Sequence, residues 1–323
     1  MTRQEALTQF REEMQPVLAK GEAAFSRELE NQTGKLTETI KKVISGLRQE
    51  AEQLEKEKLM FFHISLLRTG ILQQTWQAMA QAMDARWYLD TEPAQVCFPL
   101  DFLFSVFGGV REELMSGVGK YMGKVNSYDV EYLVEESVMR CNLVLAQQAR
   151  YMFRDIEEDE DFAAMEKTDV WSVYWGEYRD ACELVACVNR EPKSQTEFER
   201  ALRQTQNEET SMIFSYWYSA ELKNADCAKK LLHFVQFEDC SLENMIFDQA
   251  VLTGARFRNC RMQGCSFKGA VLRQADFENC VWEDNDFAGA VLENAVFKEQ
   301  ELAFLHLDPE QMQAILVDRR NAG

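Results

Sequence analysis

The sequence predicts two architectures in one chain: an all-α N-terminal domain, followed by a β-solenoid whose coils have four sides. Apolar spacings of three and four, with little glycine or proline, indicate helices over residues 1–218. From residue 235 onward, a bulky apolar side chain instead recurs at every fifth position, a period that fits neither a helix nor an alternating strand. The five-residue units also align in lines of twenty, so four of them are predicted to make one coil.

The first predicted element is a long amphipathic helix over about residues 22–62. Its apolar residues follow a heptad-like spacing, and its opposite face is charged. Pro16 is predicted to separate it from a short leading helix over residues 3–15. The apolar seam has two interpretations, packing in an antiparallel bundle of the same chain or a dimeric coiled coil. We favour packing within the chain because Glu50 and Glu57 interrupt the seam.

The rest of the N-terminal domain is predicted to form further helices. The stretch 61–72 is apolar on most sides and is expected to be the buried central helix. Ser127, followed closely by two acidic residues, is typical of a helix start. The predicted helices span residues 59–85, 100–122, 127–153, 169–188 and 196–219. Residues 1–215 resemble no family that we recognise.

The repeat occupies about residues 219–308. A small residue, alanine or cysteine, stands two positions before most of the bulky ones, and Ala-Val-Leu recurs at 250–252, 270–272 and 290–292. Met245 and Asn285 replace the small residue in two units, and Gln300 replaces it near the end of the repeat; these departures predict local bulging. The predicted repeat core consists of Phe237, Leu242, Phe247, Leu252, Phe257, Met262, Phe267, Leu272, Phe277, Trp282, Phe287, Leu292 and Phe297.

This pattern resembles the pentapeptide-repeat family. The resemblance implies a right-handed, square β-helix in which the bulky residue and the small residue two positions before it both point inward. Four of the cysteines would then be buried as small apolar residues (Cys240, Cys260, Cys265 and Cys280). The resemblance covers less than a third of the chain. It implies a shape and little about chemistry.

Composition limits the classes of function. The net charge of −19 disfavours non-specific binding to nucleic acid. Residues 229–308 carry 13 acidic and 8 basic side chains, so most of the negative charge lies in the N-terminal domain. An odd number of cysteines, nine, without a visible secretory signal predicts the reducing cytoplasm. No apolar stretch is long enough to cross a membrane, and we expect neither direct nucleic-acid binding nor membrane binding.

The first candidate site is a group of charged residues among aromatic ones. Glu177, Arg179 and Asp180 lie on the predicted helix 169–188, and Arg68 is a candidate partner from another helix. One interpretation is a polar pocket for a charged small molecule or a peptide. The other is a buried ion network that orients helices, which we favour because no nucleophile and base accompany these residues.

We expect no catalytic residue, cofactor or metal ion. Acidic residues at 155, 157, 159, 161 and 166 have the ligand spacing of a calcium loop, but Glu160 stands where that loop needs glycine. A solvated acidic turn is therefore predicted. Cys182 and Cys187 do not have the spacing of zinc ligands. The three histidines lie far apart in the sequence (His63, His233 and His306).

The outer surface of the repeat is a further candidate. Several pentapeptide-repeat proteins resemble DNA in size and charge and bind DNA gyrase, which requires an uninterrupted acidic face. Residues twenty positions apart are predicted to stack as neighbouring strands do, about 4.8 Å apart. One such column alternates in sign along Glu238, Arg258, Glu278 and Lys298. Ion ladders of this kind neutralise the surface that mimicry of DNA would need.

Both ends of the solenoid are expected to be covered, because open coils expose apolar side chains and unpaired strand groups. Asp308 and Pro309 predict the start of a capping helix within residues 309–323. Its predicted apolar face consists of Met312, Ile315 and Leu316. Aromatic residues at 214–218 are expected to join the helical domain to the first coil.

These features favour a non-catalytic interaction or scaffold protein with protein partners that the sequence does not identify. A homodimer would form through the long N-terminal helix or through the C-terminal helix, which mediates dimerisation in some members of the family. Two alternatives remain open. One is a DNA mimic that binds gyrase or another topoisomerase. The other is small-molecule binding or enzymatic activity in the helical domain, centred on Arg68, Glu177, Arg179 and Asp180.

Overall fold

Residues 1–204 and 212–318 of the 323-residue chain are described by a computed structural model. Contacts divide the chain into a first unit, Met1–Cys187, and a second unit, Val188–Gly323. The boundary predicted from the sequence, between residues 218 and 219, falls inside the second unit.

The helices of the first unit lie mostly before and between its strands. Short 3₁₀ turns connect some of them at Trp87–Leu89, Val118–Tyr121 and Ile156–Glu158. The α-helices are α1 (Arg3–Asn31), α2 (Thr33–Gln53), α3 (Arg68–Leu72), α4 (Asp101–Phe104), α5 (Val106–Gly117), α6 (Ser127–Met152) and α7 (Glu160–Ala164). Helices over most of 100–122 and 127–153 are therefore confirmed. Asn126, one residue earlier than predicted, caps α6 through its side chain.

The first unit also contains a mixed β-sheet, so the prediction of an all-α domain was wrong. Its strands are β1 (Leu59–Leu66), β2 (Gln77–Met83), β3 (Ala94–Pro99), β4 (Lys167–Glu177) and β5 (Cys182–Asn189). Their order in the sheet is β3-β2-β1-β4-β5. β2 is antiparallel to both β1 and β3, whereas β1 and β4 are parallel. The first unit is thus helical with a central sheet.

The predicted helix 59–85, with its central segment 61–72, is the β1–α3–β2 unit. β1 is buried on nearly its whole length, and a strand buried on both faces has a continuous apolar run that periodicity cannot distinguish from a buried helix. β2 is rich in alanine, methionine and glutamine, which favour helices in isolation. Pairing with β1 and β3 overrides that preference.

The predicted helix 169–188 is the hairpin formed by β4 and β5. Trp171, Val173 and Trp175 alternate with more exposed residues, which is the period of two of a strand. Large β-branched and aromatic residues fit a pleated surface well. The apolar residues of this hairpin therefore follow the alternation of a strand and not the spacing of three and four that predicts a helix.

The predicted long helix over 22–62 is also corrected. α1 continues through Pro16 and ends at Asn31. Gln32 interrupts the helix, and α2 then runs to Gln53, before β1. α1 packs on α5 and α6, and α2 packs on β2 and β3. Most of the apolar seam is buried in these contacts, so packing within the chain is confirmed, but α2 packs on a sheet and not in the predicted antiparallel bundle. Gly21 of α1 makes close packing possible, since a Cβ there would lie 2.6 Å from Val110.

The second unit begins with α8 (Gln195–Gln204) and continues with short parallel strands. Of the predicted helix 196–219, α8 confirms the first part and the strand at Tyr216–Tyr218 contradicts the end, while residues 205–211 lie outside the described part. The strands are β6 (Tyr216–Tyr218), β7 (Glu221–Lys223), β8 (Gln236–Glu238), β9 (Ser241–Glu243), β10 (Arg256–Arg258), β11 (Arg261–Gln263), β12 (Asp276–Glu278), β13 (Val281–Glu283), β14 (Val296–Lys298) and β15 (Leu316–Asp318). A 3₁₀ helix, Glu299–Phe304, and α9 (Pro309–Ala314) separate the last two strands.

The strands form a four-sided β-helix with a register of twenty residues, as predicted. The first face is the sheet β15-β14-β12-β10-β8-β6, and the second is β13-β11-β9-β7. The third and fourth faces are held by single parallel bridges, such as Ile246 to Ser266 and Val251 to Val271. All the predicted core residues, which recur at every fifth position from Phe237 to Phe297, are buried.

Stacked rings fill the inside of the β-helix. Phe237, Phe257, Phe277 and Phe297 form one column with successive ring centroids 5.1, 5.0 and 4.6 Å apart. Phe247, Phe267 and Phe287 form a second column, at 5.0 and 4.9 Å. The two columns meet edge to face. This packing leaves a solid apolar interior.

The two atypical units keep the register, so the predicted bulging at Met245 and Asn285 was wrong. Bridges on the third face align Ile246, Ser266 and Asp286 without a shift. The side-chain oxygen of Asn285 accepts a hydrogen bond from Cys265 N, and its amide donates to Met262 O, both at 2.9 Å. A buried amide that is bonded at both ends is tolerated in the core.

Helices cover both ends of the β-helix. At the start, Phe198 and Leu202 of α8 join the core, and the Gln195 side chain exchanges two hydrogen bonds with the backbone of Lys223. At the other end, the predicted capping helix is present as α9. Its apolar face differs from the prediction: Ile315 is buried, but Met312 and Leu316 are exposed.

Candidate functional site

The charged group predicted around Arg68 forms at one edge of the central sheet. β1 and β4 are parallel, and Leu66 pairs with Glu177, so the residues that follow the two strands lie close together. Arg68 Nε donates to Glu177 Oε2 at 2.7 Å, and Arg68 Nη2 lies 3.3 Å from Asp180 Oδ2. Glu135 of α6, which the sequence did not indicate, lies 3.2 Å from Arg68 Nε.

This ion cluster lies at the surface, and the guanidinium is surrounded by carboxylates. The hydrogen bond that Arg68 donates to the Glu177 carboxylate raises the pKa of Arg68. The Arg68 side chain is 54% exposed, so water and salt weaken each of these pairs. Arg179 lies instead over the ring of Tyr178, 5.4 Å from its centroid. The cluster joins α3, α6 and the β4–β5 turn, which is a structural role.

The acidic run after α6 is used for capping and pairing. The side chain of Asp159 accepts hydrogen bonds from the N–H groups of Asp161 and Phe162 at the start of α7. Asp161 forms an ion pair with Arg48 of α2 at 2.9 Å. Within residues 1–204 and 212–318, no group of three or more histidine, cysteine or acidic residues is arranged to hold a metal ion.

A buried histidine on β1, which the sequence did not indicate as a site, is surrounded by aromatic rings. His63 is 1% exposed, and its ring stacks on Tyr174 of β4 with centroids 4.9 Å apart. Trp87 and Tyr88, from the turn after β2, also pack against the His63 ring, with centroids 5.7 and 5.2 Å from it. The Tyr88 hydroxyl lies 3.1 Å from His63 Nδ1. Burial lowers the pKa of His63 to about 4, so the imidazole is neutral at physiological pH.

On the outside of the β-helix, charged residues twenty or so positions apart form the predicted ladders. On the first face, Arg258 Nε lies 2.8 Å from Glu278, and Arg258 Nη1 lies 3.8 Å from Glu238. On another face Arg273 pairs with Glu293 at 3.0 Å. Charges of opposite sign therefore neighbour each other along these two faces.

Exposed apolar side chains gather at the end of the β-helix. In the described part of the second unit, the exposed large apolar side chains are Ile246 and five residues of the last coil and its cap. Four of those five form what we call the C-terminal surface, namely Val281, Phe304, Met312 and Leu316. Val291 lies on the fourth face, across the coil from Val281 on the second face. In the first unit, exposed apolar residues such as Leu54, Leu89 and Leu143 are spread over several elements.

The repeat matches a family model. Residues 230–307 match the model described as "Pentapeptide repeat region". This segment is a pentapeptide-repeat region. The match agrees with the four-sided coil, the buried bulky residue at every fifth position and the register of twenty. No curated protein matches the chain.

Three of the solved structures that are similar to the pentapeptide-repeat region are those of Rfr23, HetL and QnrB1. Rfr23 of the cyanobacterium Cyanothece 51142 is 26% identical over 24% of this chain and 52% of its own, with a TM-score of 0.23. HetL of Nostoc sp. strain PCC 7120, involved in heterocyst differentiation regulation, is 21% identical over 26% of this chain and 39% of its own, with a TM-score of 0.25. The chain thus spans about half or less of the length of these two.

The third is QnrB1, a plasmid-mediated fluoroquinolone resistance protein. Its full-length form is 13% identical over 33% of this chain and 86% of its own, with a TM-score of 0.17. In the part of our chain that the structure describes, no helix combines the length and the apolar character needed to span a bilayer.

Proposed function

We propose that the protein is a non-catalytic interaction or scaffold protein, and that the C-terminal surface binds a partner protein. The observation that carries this proposal is the gathering of exposed apolar side chains on the last coil and its cap. Exposed apolar groups that neighbour one another mark interaction sites, and Val281 and Phe304 border the same groove. The stacked core behind them holds the coil rigid, so little ordering entropy opposes binding.

The other functions that we considered have less support. Mimicry of DNA needs a continuous negative face, whereas the ladders of the β-helix alternate in sign. An enzymatic or ligand-binding role centred on Arg68 would need a group free to act on a substrate. Glu177, Asp180 and Glu135 instead surround Arg68.

We also propose that the protein is cytoplasmic. Its nine cysteines are all free thiols, and six of them are buried. Buried thiols persist in a reducing compartment and would be at risk of oxidation during folding in an oxidising one.

Affinity capture from a lysate of the source organism tests the proposal. The full chain is compared with a double variant, Phe304→Lys with Met312→Lys, which places two charges on the C-terminal surface. The matched control is Leu89→Lys with Leu143→Lys, at exposed positions of the first unit. We expect the first variant, and not the control, to lose the specific partner. Equal capture by all three proteins, or turnover of a substrate by the pure protein, would contradict the proposal.

A further inference from the structure

The second face of the β-helix ends one strand early. β7, β9, β11 and β13 stack on this face, with Leu222, Leu242, Met262 and Trp282 aligned at their centres. In the next coil the corresponding residues form the 3₁₀ helix Glu299–Phe304 instead of a strand. Within the described residues, β13 is therefore an edge strand that pairs with β11 on one side only.

The register of the ladder identifies which backbone groups face this open edge. Val281 N donates to Cys260 O, and Glu283 O accepts from Gly264 N, so both residues bond towards β11. Because backbone groups alternate along a strand, the N–H and C=O of Trp282 point the other way. By the same register, Cys280 O and Asp284 N face the edge, where the next coil would bond to them.

The 3₁₀ helix covers this edge only in part. Glu301 Oε1 accepts a hydrogen bond from Cys280 N at 2.8 Å, taking one position of the edge. Beyond it a groove of about 320 Å³ lies between β13 and the 3₁₀ helix, bordered by Val281, Trp282, Lys298 and Phe304. This volume is within the range of sites that bind small ligands and short peptide segments.

The side chains around the groove indicate what would fill it. Val281 and Phe304 are 61% and 64% exposed, and they form an apolar pair on the outer side. Glu283, two residues after Val281 on β13, adds a half-exposed carboxylate that lies 3.3 Å from Arg261, and Lys298 is a basic residue of the groove lining. A strand added in register would place one outward residue beside Val281 and another, two positions on, beside Glu283.

We propose that the outer edge of β13 binds an extended segment of a partner protein as an added parallel strand. The segment carries an apolar residue beside Val281 and a basic residue two positions later beside Glu283. Its backbone exchanges hydrogen bonds with Trp282, Cys280 O and Asp284 N, as strands do when a peptide extends a sheet. This inference rests on the proposed function, since it names the kind of partner that the C-terminal surface takes.

Hydrogen exchange of the free protein tests whether the edge is open. The amides of Trp282 and Asp284 are expected to exchange much faster than that of Gly264, which is bonded inside the ladder to Glu283 O. Equal protection of these amides in the free protein would overturn the proposal. If protection disappears when the chain is ended at Asp318, its own last residues fill the edge, which also overturns it.

A peptide titration tests recognition. The probe is a fluorescent seven-residue peptide with valine at position three, lysine at position five and serine or threonine elsewhere. We expect Val281→Glu to weaken its binding about tenfold, and Glu283→Lys about fivefold. Changing the peptide's lysine to glutamate should restore binding to Glu283→Lys. N-methylation of the peptide amide that donates to Cys280 O should weaken binding about tenfold.

Matched controls lie on the fourth face of the same coil. Val291 and Glu293 repeat the pattern of Val281 and Glu283, and Glu293 pairs with Arg273 as Glu283 pairs with Arg261. Val291→Glu and Glu293→Lys should bind the peptide as the unmodified protein does. The proposal is overturned by equal loss in both pairs of variants, by no binding, or by insensitivity to N-methylation. A concentration-dependent dimer that Val281→Glu abolishes would assign the edge to a second copy and overturn it too.

The capture experiment separates this inference from the proposed function. If Val281→Glu and Glu283→Lys still capture the partner that the C-terminal double variant loses, the interaction role stands and strand addition fails. If nothing is captured while the peptide binds as described, strand addition stands and the broader role fails.

Discussion

At the scale of single residues, His63 has the most unusual environment in the first unit. Aromatic side chains from the turn after β2 and from β4 enclose it, and the Tyr88 hydroxyl is its polar neighbour. Burial removes the imidazole from water and leaves its cationic form without a compensating partner. Burial therefore lowers the pKa of His63 to about 4. Tyr88 and Tyr174 show the same effect in the other direction, since burial raises the pKa of both.

His63 is expected to make the first unit sensitive to mild acid. Its folded pKa lies below the unfolded value of about 6.5, so the unfolded state binds the proton more readily. The stability from the neutral form is complete above about pH 6.5 and is lost as the pH falls towards 4. The loss is roughly 3 kcal/mol at pH 4. Urea unfolding between pH 7 and 4 measures it.

The variant His63→Gln should flatten the pH dependence of unfolding relative to the unmodified protein. The same substitution at exposed His306 is the control and should leave the slope as it was. An unchanged slope in His63→Gln would mean that carboxylates alone cause the acid sensitivity.

At the scale of elements, the structure depends on a few positions where backbone segments approach closely. Gly176 lies in β4, where the hairpin folds back on itself, and a Cβ there would lie 2.3 Å from Ala181 O and 2.5 Å from Cys182 Cα. Backbone atoms cannot rotate out of the way as a flexible side chain can. Gly34 of α2 is the opposite case, because a Cβ there meets nothing within 4 Å.

Replacing these two glycines by alanine should have opposite effects. Gly176→Ala is expected to cost about 3 kcal/mol or more, because the hairpin must open to accept the methyl group. Gly34→Ala is expected to stabilise by up to about 1 kcal/mol, since alanine favours a helix more than glycine does. Denaturant midpoints at constant m-value measure both. Similar effects in the two variants would contradict the close approach at Gly176.

A second prediction at this scale concerns the stability that the helix α8 gives to the start of the β-helix. Phe198 of α8 is fully buried and lies edge to face on Trp217, with centroids 4.8 Å apart. Phe198→Ala should destabilise the second unit by about 3–5 kcal/mol. Phe304→Ala, at the exposed end, should change stability by less than about 0.5 kcal/mol. Thermal unfolding monitored by far-UV circular dichroism distinguishes them, and equal effects would mean that α8 is not a cap.

The elements that sequence analysis identified are those with a local, repeated signal. The period of five gave the β-helix and its core, because each unit repeats the same inward position. β1 was read as a helix because a strand buried on both faces has no alternation. The sequence did not indicate that α8 covers the start of the β-helix, because α8 contacts the first coil through residues that lie far apart in the sequence.

The candidate sites divide in the same way. The sequence named Arg68, Glu177 and Asp180, and parallel pairing of β1 with β4 brings them together. It did not indicate Glu135 or the partners of His63, which come from separate elements with no shared spacing. The open edge of β13 depends on residues 299–304 forming a 3₁₀ helix, and only the departure at Gln300 from the small-residue position hinted at this.

At the scale of the whole molecule, the two units have different chemistry. The first unit has a mixed sheet with helices and carries most of the negative charge. The second unit is a rod whose charges are largely paired along its faces and whose apolar side chains are exposed at one end. A rigid shape with exposed apolar side chains at one end suits the proposed binding of a partner protein.

Hydrogen exchange of the complex with a captured partner tests the central claim most directly. We predict that partner binding slows exchange in the last coil and its cap, from Val281 to Leu316, with Trp282 and Asp284 among the most protected amides. The first coils, from Tyr216 to Glu243, should exchange as in the free protein. Protection confined to residues 1–187, with the last coil unchanged, would contradict the claim that the end of the β-helix is the interaction surface.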